Sequence, residues 1–223
     1  MTLLPADRFH PGVRLGALLV WFAAFGLVYF LSREILILFL GQVSGIGVLI
    51  LLGLALFVSQ PLARWGEHQL VKLWPSGRAV ELEPGRLTLR EKSGLVHLDV
   101  SPAIKVNYWR WRFEVRGRRG GHVPNGHHCF AIRLVQGEKV IGLYSFLSPQ
   151  QAQTVLARYP FYELHRPSEK GAPRLPLGGR DAVYLAAENA RWESGAELDP
   201  ADFEALLDHL NAHLPEFASG TSS

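Results

Sequence analysis

Two long apolar runs near the start of the chain constrain its fold more than any other feature. Residues 15–31 and 35–58 contain no charged side chain, although the whole chain carries 23 Lys plus Arg and 20 Asp plus Glu. At about 1.5 Å of helical rise per residue, the runs cover roughly 26 and 36 Å, against a hydrocarbon core of about 30 Å. We therefore predict two transmembrane helices, which excludes a purely soluble protein and a disordered chain.

The short segment between the runs predicts how the two helices are connected. Only Ser32, Arg33 and Glu34 separate them, so we expect a tight antiparallel hairpin whose polar corner reaches the far interface. A cleaved signal peptide is the alternative for the first run, but the run has no clear small-residue cleavage site and another apolar run follows at once.

Basic residues near the ends of the runs predict the orientation. Two arginines precede the first run, three basic residues follow the second, and the corner holds one arginine. This bias predicts that both termini lie in the cytoplasm, which we interpret as a protein of the inner (plasma) membrane. A single cysteine, Cys129, agrees with a reducing compartment and excludes a disulfide-stapled scaffold.

Small residues at the start of the second run predict a site of helix packing. Gly41 and Gly45 form a GxxxG pattern, and Ser44 lies beside them. Small side chains let two helix backbones approach closely. The pattern is explained either by packing within this chain's own hairpin or by a docking face for another membrane protein, including a second copy that associates through the second span.

After residue 78 the hydrophobic period changes from that of a helix to that of strands. Apolar and polar residues alternate in short segments separated by Pro and Gly turns. A helix start follows, because Ser148 can cap, Pro149 suits the first turn, and Gln151 completes a capping box. The strands are predicted at residues 79–83, 86–90, 95–100, 103–116, 128–135 and 140–146.

About six short strands followed by one helix is the order found in pleckstrin-homology-like (PH-like) barrels. The motifs are Leu82-x-x-x-x-Leu87-x-Leu89, Ile104-x-Val106 and Phe146-Leu147-Ser148-Pro149. With the hairpin before them, the chain resembles bacterial membrane-anchored PH-like proteins over residues 14–160. The resemblance implies a membrane α-hairpin plus an α+β part, a PH-like antiparallel β-barrel with a closing helix, and a non-catalytic role. It carries over no ligand residue.

A second amphipathic segment follows the strands and predicts a C-terminal helical extension. Its apolar positions, from Phe203 to Leu214, recur at helical spacing. We expect this helix to pack on the cytoplasmic domain, and binding to a partner is the alternative. The full organisation is a cytoplasmic N-terminal tail (1–14), the transmembrane hairpin (15–58), a connector (59–77), the PH-like β-domain (78–160), a linker (161–195), the C-terminal amphipathic helix (196–217) and a disordered tail (218–223).

The near-neutral total charge hides two oppositely charged parts. Residues 59–180 hold 19 basic and 9 acidic side chains, whereas residues 181–217 hold one basic and nine acidic. The long strand at 103–116 predicts a charged face that carries Tyr108 and the arginines, opposite a core face with Trp109 and Trp111. The basic residues of this strand and the loop after it are Lys105, Arg110, Arg112, Arg116, Arg118 and Arg119.

This basic segment allows three interpretations. The first is a strand face exposed to solvent, the second is a surface that binds anionic lipid, and the third is a protein-binding surface. Near an anionic membrane, each basic residue contributes about 1 kcal/mol of binding free energy. Nucleic acid is disfavoured, because only Tyr108 shares the arginine face and could stack on a base. The residues that we assign to a basic binding surface are Arg110, Arg112, Arg116, Arg118 and Arg119.

No motif in the chain predicts catalysis. The cluster of His122, His127, His128 and Cys129 lacks zinc-finger spacing, and GxSxG, P-loop and GxGxxG patterns are absent. We expect no catalytic, metal or cofactor site. The sequence predicts a non-enzymatic integral membrane protein that contacts membrane lipids and a membrane-protein partner, as a scaffold, assembly or regulatory subunit. The alternative is an anionic-phospholipid sensor that uses residues 105–119; an enzyme using His127, His128 or Cys129 is a third class.

Overall fold

The computed structural model describes residues 1–42, 44–91, 93–112, 123–124, 126–164 and 180–214. The chain divides into two compact units. The hairpin unit is Arg8–Ser76, and the sheet unit consists of Met1–Asp7 together with Gly77–Ser223. The hairpin is therefore an insertion between two segments of the sheet unit.

The hairpin unit consists of two antiparallel helices, α1 (Pro11–Leu40) and α2 (Gly45–Leu73). His10 caps α1 by accepting from the backbone N–H of Gly12 over 3.2 Å, and Pro11 occupies the first turn, where its missing N–H costs nothing. Both helices are long and apolar enough to cross a membrane.

α1 ends at Leu40 and α2 begins at Gly45, so the predicted corner at Ser32, Arg33 and Glu34 is wrong. α1 continues through these residues, and the Arg33 Nη1 atom donates to Glu34 Oε1 over 2.9 Å. Gly41 ends α1 with a φ of 75°, a conformation that glycine adopts without strain. Arg and Glu are good helix formers, and two consecutive charges do not stop a helix.

One glycine from each helix, Gly16 of α1 and Gly66 of α2, lies where the two helices meet. A Cβ atom added at Gly66 would lie 2.7 Å from Cγ1 of Val20, and one at Gly16 would lie 3.0 Å from Cδ1 of Leu70. Earlier in α2, Ala55 and Ser59 are fully buried. Contact at these positions leaves no room for larger side chains, so α1 and α2 pack as a pair.

The sheet unit begins with a strand in the segment that the sequence analysis assigned to a cytoplasmic N-terminal tail. β1 (Thr2–Pro5) pairs antiparallel with β2 (Ala79–Glu83), and Leu4 is buried in the core. The predicted tail at 1–14 is therefore corrected to a strand followed by the start of α1. β2 pairs with β3 (Arg86–Glu91) and β3 with β4 (Gly94–Asp99), which gives the order β1-β2-β3-β4.

The second sheet has five strands in the order β8-β5-β6-β7-β9. Its centre is the antiparallel set β5 (Lys105–Arg112), β6 (His128–Gln136) and β7 (Lys139–Leu147). Two short parallel strands flank it, β8 (Tyr162–Glu163) and β9 (Ala196–Glu197). In the described part of the chain the two sheets do not join into a closed barrel.

Three helices complete the sheet unit: α3 (Pro149–Arg158), α4 (Arg180–Glu193) and α5 (Pro200–His213). The predicted capping box of α3 is confirmed, with Ser148 and Gln151 bonded reciprocally. α4 lies in the segment 161–195, so its assignment as a linker is wrong for those residues. The expected packing of the C-terminal helix on the domain is confirmed, because Phe203, Leu206, Leu207 and Leu210 are fully buried.

The five-stranded sheet packs against other elements on both of its faces, and α4 covers one of these faces. One face contributes to the main core, which includes side chains of both sheets, α3 and α5. The opposite face carries a second cluster together with Tyr184 and Ala187 of α4. The buried members of this second cluster are Trp111, Val123, Cys129, Ala131, Tyr144, Phe146, Leu164 and Ala187.

Candidate functional site

The end of β5 carries the described part of the predicted basic surface. Arg110 Nη2 donates to Glu163 Oε2 of β8 over 2.5 Å, and the side chains are 21% and 41% exposed. Arg112 lies at the end of the strand, is exposed, and has no ion pair among the described residues. Arg116, Arg118 and Arg119 lie outside the described residues. We call Arg110, Arg112, His127, His128 and Glu163 the basic patch.

Two histidines adjoin the arginines of the basic patch. Arg112 is paired in register with His128, and His127 precedes it. Burial lowers the pKa of His128 below its ordinary value, and the positive charges of Arg110, Arg112 and His127 lower it further against the opposing effect of Glu163. The Nδ1 atoms of both histidines are buried and have no hydrogen-bond partner in the described part of the chain. His128 is therefore neutral at pH 7 and adds no charge to the patch.

The arrangement favours binding of an anionic group. A guanidinium presents N–H donors in a planar fork that fits the oxygens of a carboxylate or phosphate. Glu163 neutralises Arg110, so Arg112 is the arginine of the patch that is exposed to an external ligand. The structure thus separates two arginines that the sequence analysis treated as equivalent.

Strand alternation was predicted correctly for the tryptophans and incorrectly for Tyr108. Trp111 is buried in the second cluster, and Trp109 packs against the same cluster. Tyr108 was expected on a solvated face, but it packs against the main core, with its ring 5.9 Å from that of Phe161. The predicted charged face is wrong at this position, because the sheet is covered on both sides.

The second cluster contains a buried ion pair that the sequence analysis missed. Arg191 of α4 donates from Nη2 and Nε to Glu188 Oε2, over 2.6 and 3.1 Å, and only 4% of its side chain is exposed. Glu188 Oε1 accepts from Trp111 Nε1 over 2.6 Å. The Arg191 guanidinium also lies 5.6 Å from the ring centre of Tyr144. A signal was available, since Tyr184, Glu188 and Arg191 recur at the spacing of one helix face.

Burial raises the pKa values of the thiol and the phenol in this cluster. It raises the pKa of the Cys129 thiol well above its ordinary value, although the nearby Arg191 charge acts to lower it. It also raises the pKa of Tyr144, with Glu197 adding to the effect. Both groups are therefore neutral at pH 7. The cavity between α4 and the sheet is about 30 Å³, the scale of one water molecule.

Cys129 and His128, two described members of the cluster of His122, His127, His128 and Cys129, do not converge on one site. Cys129 is fully buried in the second cluster, whereas His128 is its neighbour on β6 and belongs to the basic patch. His122 lies outside the described residues. Within the part of the chain that the structure describes, no group of three or more His, Cys, Asp or Glu could hold a metal ion.

Gly41, Ser44 and Gly45 lie at the reversal of the hairpin and not inside one helix. Gly41 ends α1, and the Ser44 hydroxyl caps α2 by accepting from Gly47 N over 3.2 Å. A Cβ atom at Gly41 or Gly45 would have nothing within 4 Å, so neither glycine packs against the other helix of this hairpin. The predicted packing within the hairpin is therefore wrong at these residues, whereas the alternative, a docking face for another membrane protein, stays a prediction. A second GxxxG pattern, at Gly12 and Gly16, faces the C-terminal end of α2.

A charged cluster holds together the two chain segments that flank the hairpin. Arg78, directly before β2, donates to Asp7 Oδ2 over 2.6 Å and to Glu91 Oε1 over 2.5 Å. It also donates to the carbonyls of Ser194 and Gly195, over 3.1 Å each. Asp7 adopts a φ of 51°, which an aspartate tolerates better than most residues, and its Oδ1 accepts from Glu197 N.

Comparison with known proteins gives no match for this chain, neither to a family model, nor to a curated protein, nor to a solved structure.

Proposed function

We propose that this chain is a non-enzymatic integral membrane protein that presents a cytoplasmic PH-like domain as a scaffold, assembly or regulatory subunit of a membrane complex. The observation that carries the proposal is the insertion of the apolar hairpin between two paired strands. β1 precedes α1, β2 follows α2, and the strands pair over Thr2 to Pro5. A domain that is interrupted by its own membrane anchor is kept at the membrane surface.

The orientation follows from the same connectivity. Both ends of the hairpin join one sheet, so both ends lie on the same side of the bilayer. Arg8, Arg14, Lys72 and Arg78 flank these ends, and basic residues near span ends favour the cytoplasmic side. We therefore propose a multi-pass protein of the bacterial inner membrane with both termini in the cytoplasm.

The PH-like assignment is part of the proposal and is supported by the order of elements. A four-stranded meander precedes three antiparallel strands, β5, β6 and β7, and a capped helix, α3, follows directly. α4, β9 and α5 form an extension beyond that core. β9 adds to the edge of β7, and α5 fills the main core, so the extension is integral to the domain.

A thiol-labelling experiment tests the orientation. Glu138→Cys places a cysteine in the exposed turn between β6 and β7, while the native Cys129 is buried and gives little background. In spheroplasts, a membrane-impermeant maleimide should label a Gln42→Cys control at the hairpin end but should label Glu138→Cys only after lysis. Labelling of Glu138→Cys before lysis would contradict the cytoplasmic placement.

A matched pair of charge reversals tests whether the basic patch binds a partner protein. Arg112→Glu changes the exposed arginine of the patch, and Arg133→Glu changes an exposed arginine on β6 that is five register positions away, about 17 Å. We expect full-length protein in mild detergent to carry a second protein at fixed stoichiometry that Arg112→Glu releases and Arg133→Glu retains. A particle that contains only this chain would contradict the subunit proposal.

Anionic phospholipid is the second candidate ligand, and the exposed guanidinium of Arg112 favours it. Full-length protein in nanodiscs of neutral lipid should bind added vesicles that contain phosphatidylglycerol. Binding should fall with salt, because screening shortens the range of surface charges to about 8 Å at physiological ionic strength. It should fall with Arg112→Glu more than with Arg133→Glu. Equal binding to neutral and anionic vesicles would eliminate this candidate.

A further inference from the structure

The register of the hairpin fixes the height of its one internal charged pair. Gly16 faces Leu70, and Val20 faces Gly66. Continued along both helices, this register places Arg33 and Glu34 at the level of residues 52–53. They lie eight to nine residues before Gln42 at the reversal, which is about 13 Å along the axis.

The part of the hairpin beyond this pair is uncharged and strongly apolar. Residues 35–51 contain no charged side chain, and Leu38, Phe39 and Ile46 are each more than 70% exposed. Such a surface belongs in hydrocarbon. If the reversal reaches the far interface of a core about 30 Å thick, Arg33 and Glu34 lie near its midplane.

At that depth the pair is not fully satisfied within one chain. Arg33 donates to Glu34 over 2.9 Å, but the two side chains are 44% and 62% exposed. A guanidinium has five N–H donors and a carboxylate accepts several bonds, so most of this capacity is open. Charged side chains inside a membrane face other protein groups rather than lipid tails.

A stripe of exposed leucines surrounds Glu34 on the same face of α1. Leu27, Leu31, Glu34 and Leu38 follow one another at spacings of four, three and four, the repeat of a helix-pairing seam. Each leucine of the stripe is more than half exposed. A polar residue at one position of such a seam fixes register and partner choice.

We infer that two copies of this chain associate through this face of α1, with Arg33 of each copy bonded to Glu34 of the other. A two-fold axis along the membrane normal puts equivalent residues at equal depth. Arg33 and Glu34 differ in height by only about 1.5 Å, so the pair is complementary to itself across that axis. The inference rests on the proposed membrane insertion and is independent of what the basic patch binds.

Charge-reversal variants with two different tags distinguish contact between chains from contact within one chain. The Arg33→Glu chain carries two adjacent acids and the Glu34→Arg chain carries two adjacent bases. In membranes, wild-type copies should co-purify with each other. When each variant is expressed with a second copy of itself, the amount that co-purifies should fall on the order of tenfold. The acidic and basic variants expressed together should co-purify as the wild type does.

Cysteine cross-linking with a matched control locates the interface. In a Cys129→Ala background, Leu31→Cys should form an oxidised dimer, while Phe57→Cys, exposed at a similar depth on α2, should not. Membrane-inserted wild type that is monomeric, a mixed pair that fails to form, or cross-linking through Phe57→Cys would each overturn the inference. So would a single copy bound to a different membrane protein. Loss of wild-type chain from carbonate-washed membranes would instead overturn the proposed membrane function.

Discussion

The Arg191–Glu188 ion pair gives a quantitative test of what holds the second cluster closed. Arg191→Met keeps an apolar stem against the rings of Tyr144 and Phe146 and removes the charge. The Glu188 carboxylate, whose side chain is 15% exposed, then has only Trp111 Nε1 as its bonded donor within the cluster. Breaking a buried pair by removing one partner costs about 3 kcal/mol, near the lower end of the usual range because Trp111 still donates.

Cys129 provides the assay, because it is the single cysteine of the chain and is fully buried. Its thiol reacts with a labelling reagent only when the second cluster opens, so the labelling rate at fixed pH reports the opening equilibrium. A loss of about 3 kcal/mol should raise the rate on the order of a hundredfold, since each 1.4 kcal/mol is a factor of ten. Arg133→Met, at an exposed site on β6, is the control and should leave the rate unchanged.

The double variant tests the physical reason for the effect. If the cost comes from the uncompensated carboxylate, Glu188→Gln combined with Arg191→Met should label more slowly than Arg191→Met alone, because a neutral amide can still accept from Trp111. A rate for Arg191→Met within about threefold of the wild type would refute the view that this pair holds the cluster. A double variant that opens as readily as the single one would refute the carboxylate explanation.

Three further predictions address the charged cluster around Arg78, the hairpin and the C-terminal helix. Arg78→Ala should lower the free energy of unfolding by about 3 kcal/mol, because it leaves two carboxylates unpaired, and denaturant titration of the full chain in detergent measures this loss. Gly66→Ala should destabilise the hairpin by about 1 kcal/mol or more, whereas Gly53→Ala should not, because a Cβ atom at Gly53 has nothing within 4 Å. Thermal unfolding in detergent compares the two variants, and equal effects would contradict the packing of α1 on α2. Burial lowers the pKa of His209, and the nearby His213 lowers it further. The folded state therefore binds a proton at His209 less tightly than the unfolded state does, so the free energy of unfolding should fall as the pH drops below 6.5. His209→Asn should reduce that acid loss, and a stability curve unchanged by the substitution would contradict this.

Local sequence patterns determined most of the individual elements. The capping box at Ser148 and Gln151 places the start of α3, because its bonds close within four residues. Alternation over residues 79–90 places β2 and β3, and Gly85 supplies the positive φ of their turn. The apolar runs indicate two helices of membrane-spanning length, because residues 15–31 and 35–58 contain no charged side chain.

Other features depended on contacts between residues far apart in the chain. β1 is four residues long and has no strong pattern of its own. It forms because β2, which follows the 69-residue hairpin unit, offers an edge. The hairpin turn lies at Gly41 and not at Arg33, because the pairing of the helices through Gly16 and Gly66 sets the length of α1. Two adjacent charged residues such as Arg33 and Glu34 do not by themselves predict a turn.

The sequence by itself therefore determined which segments are apolar enough for a membrane, which alternate as strands, and where the basic residues concentrate. Only the tertiary structure decided that Tyr108 lies against a core, that Glu163 neutralises Arg110 while Arg112 is exposed, and that Arg191 is buried against aromatic rings. The physical reason is that alternation gives the face of a strand, whereas the element that covers that face is set by the packing of distant segments.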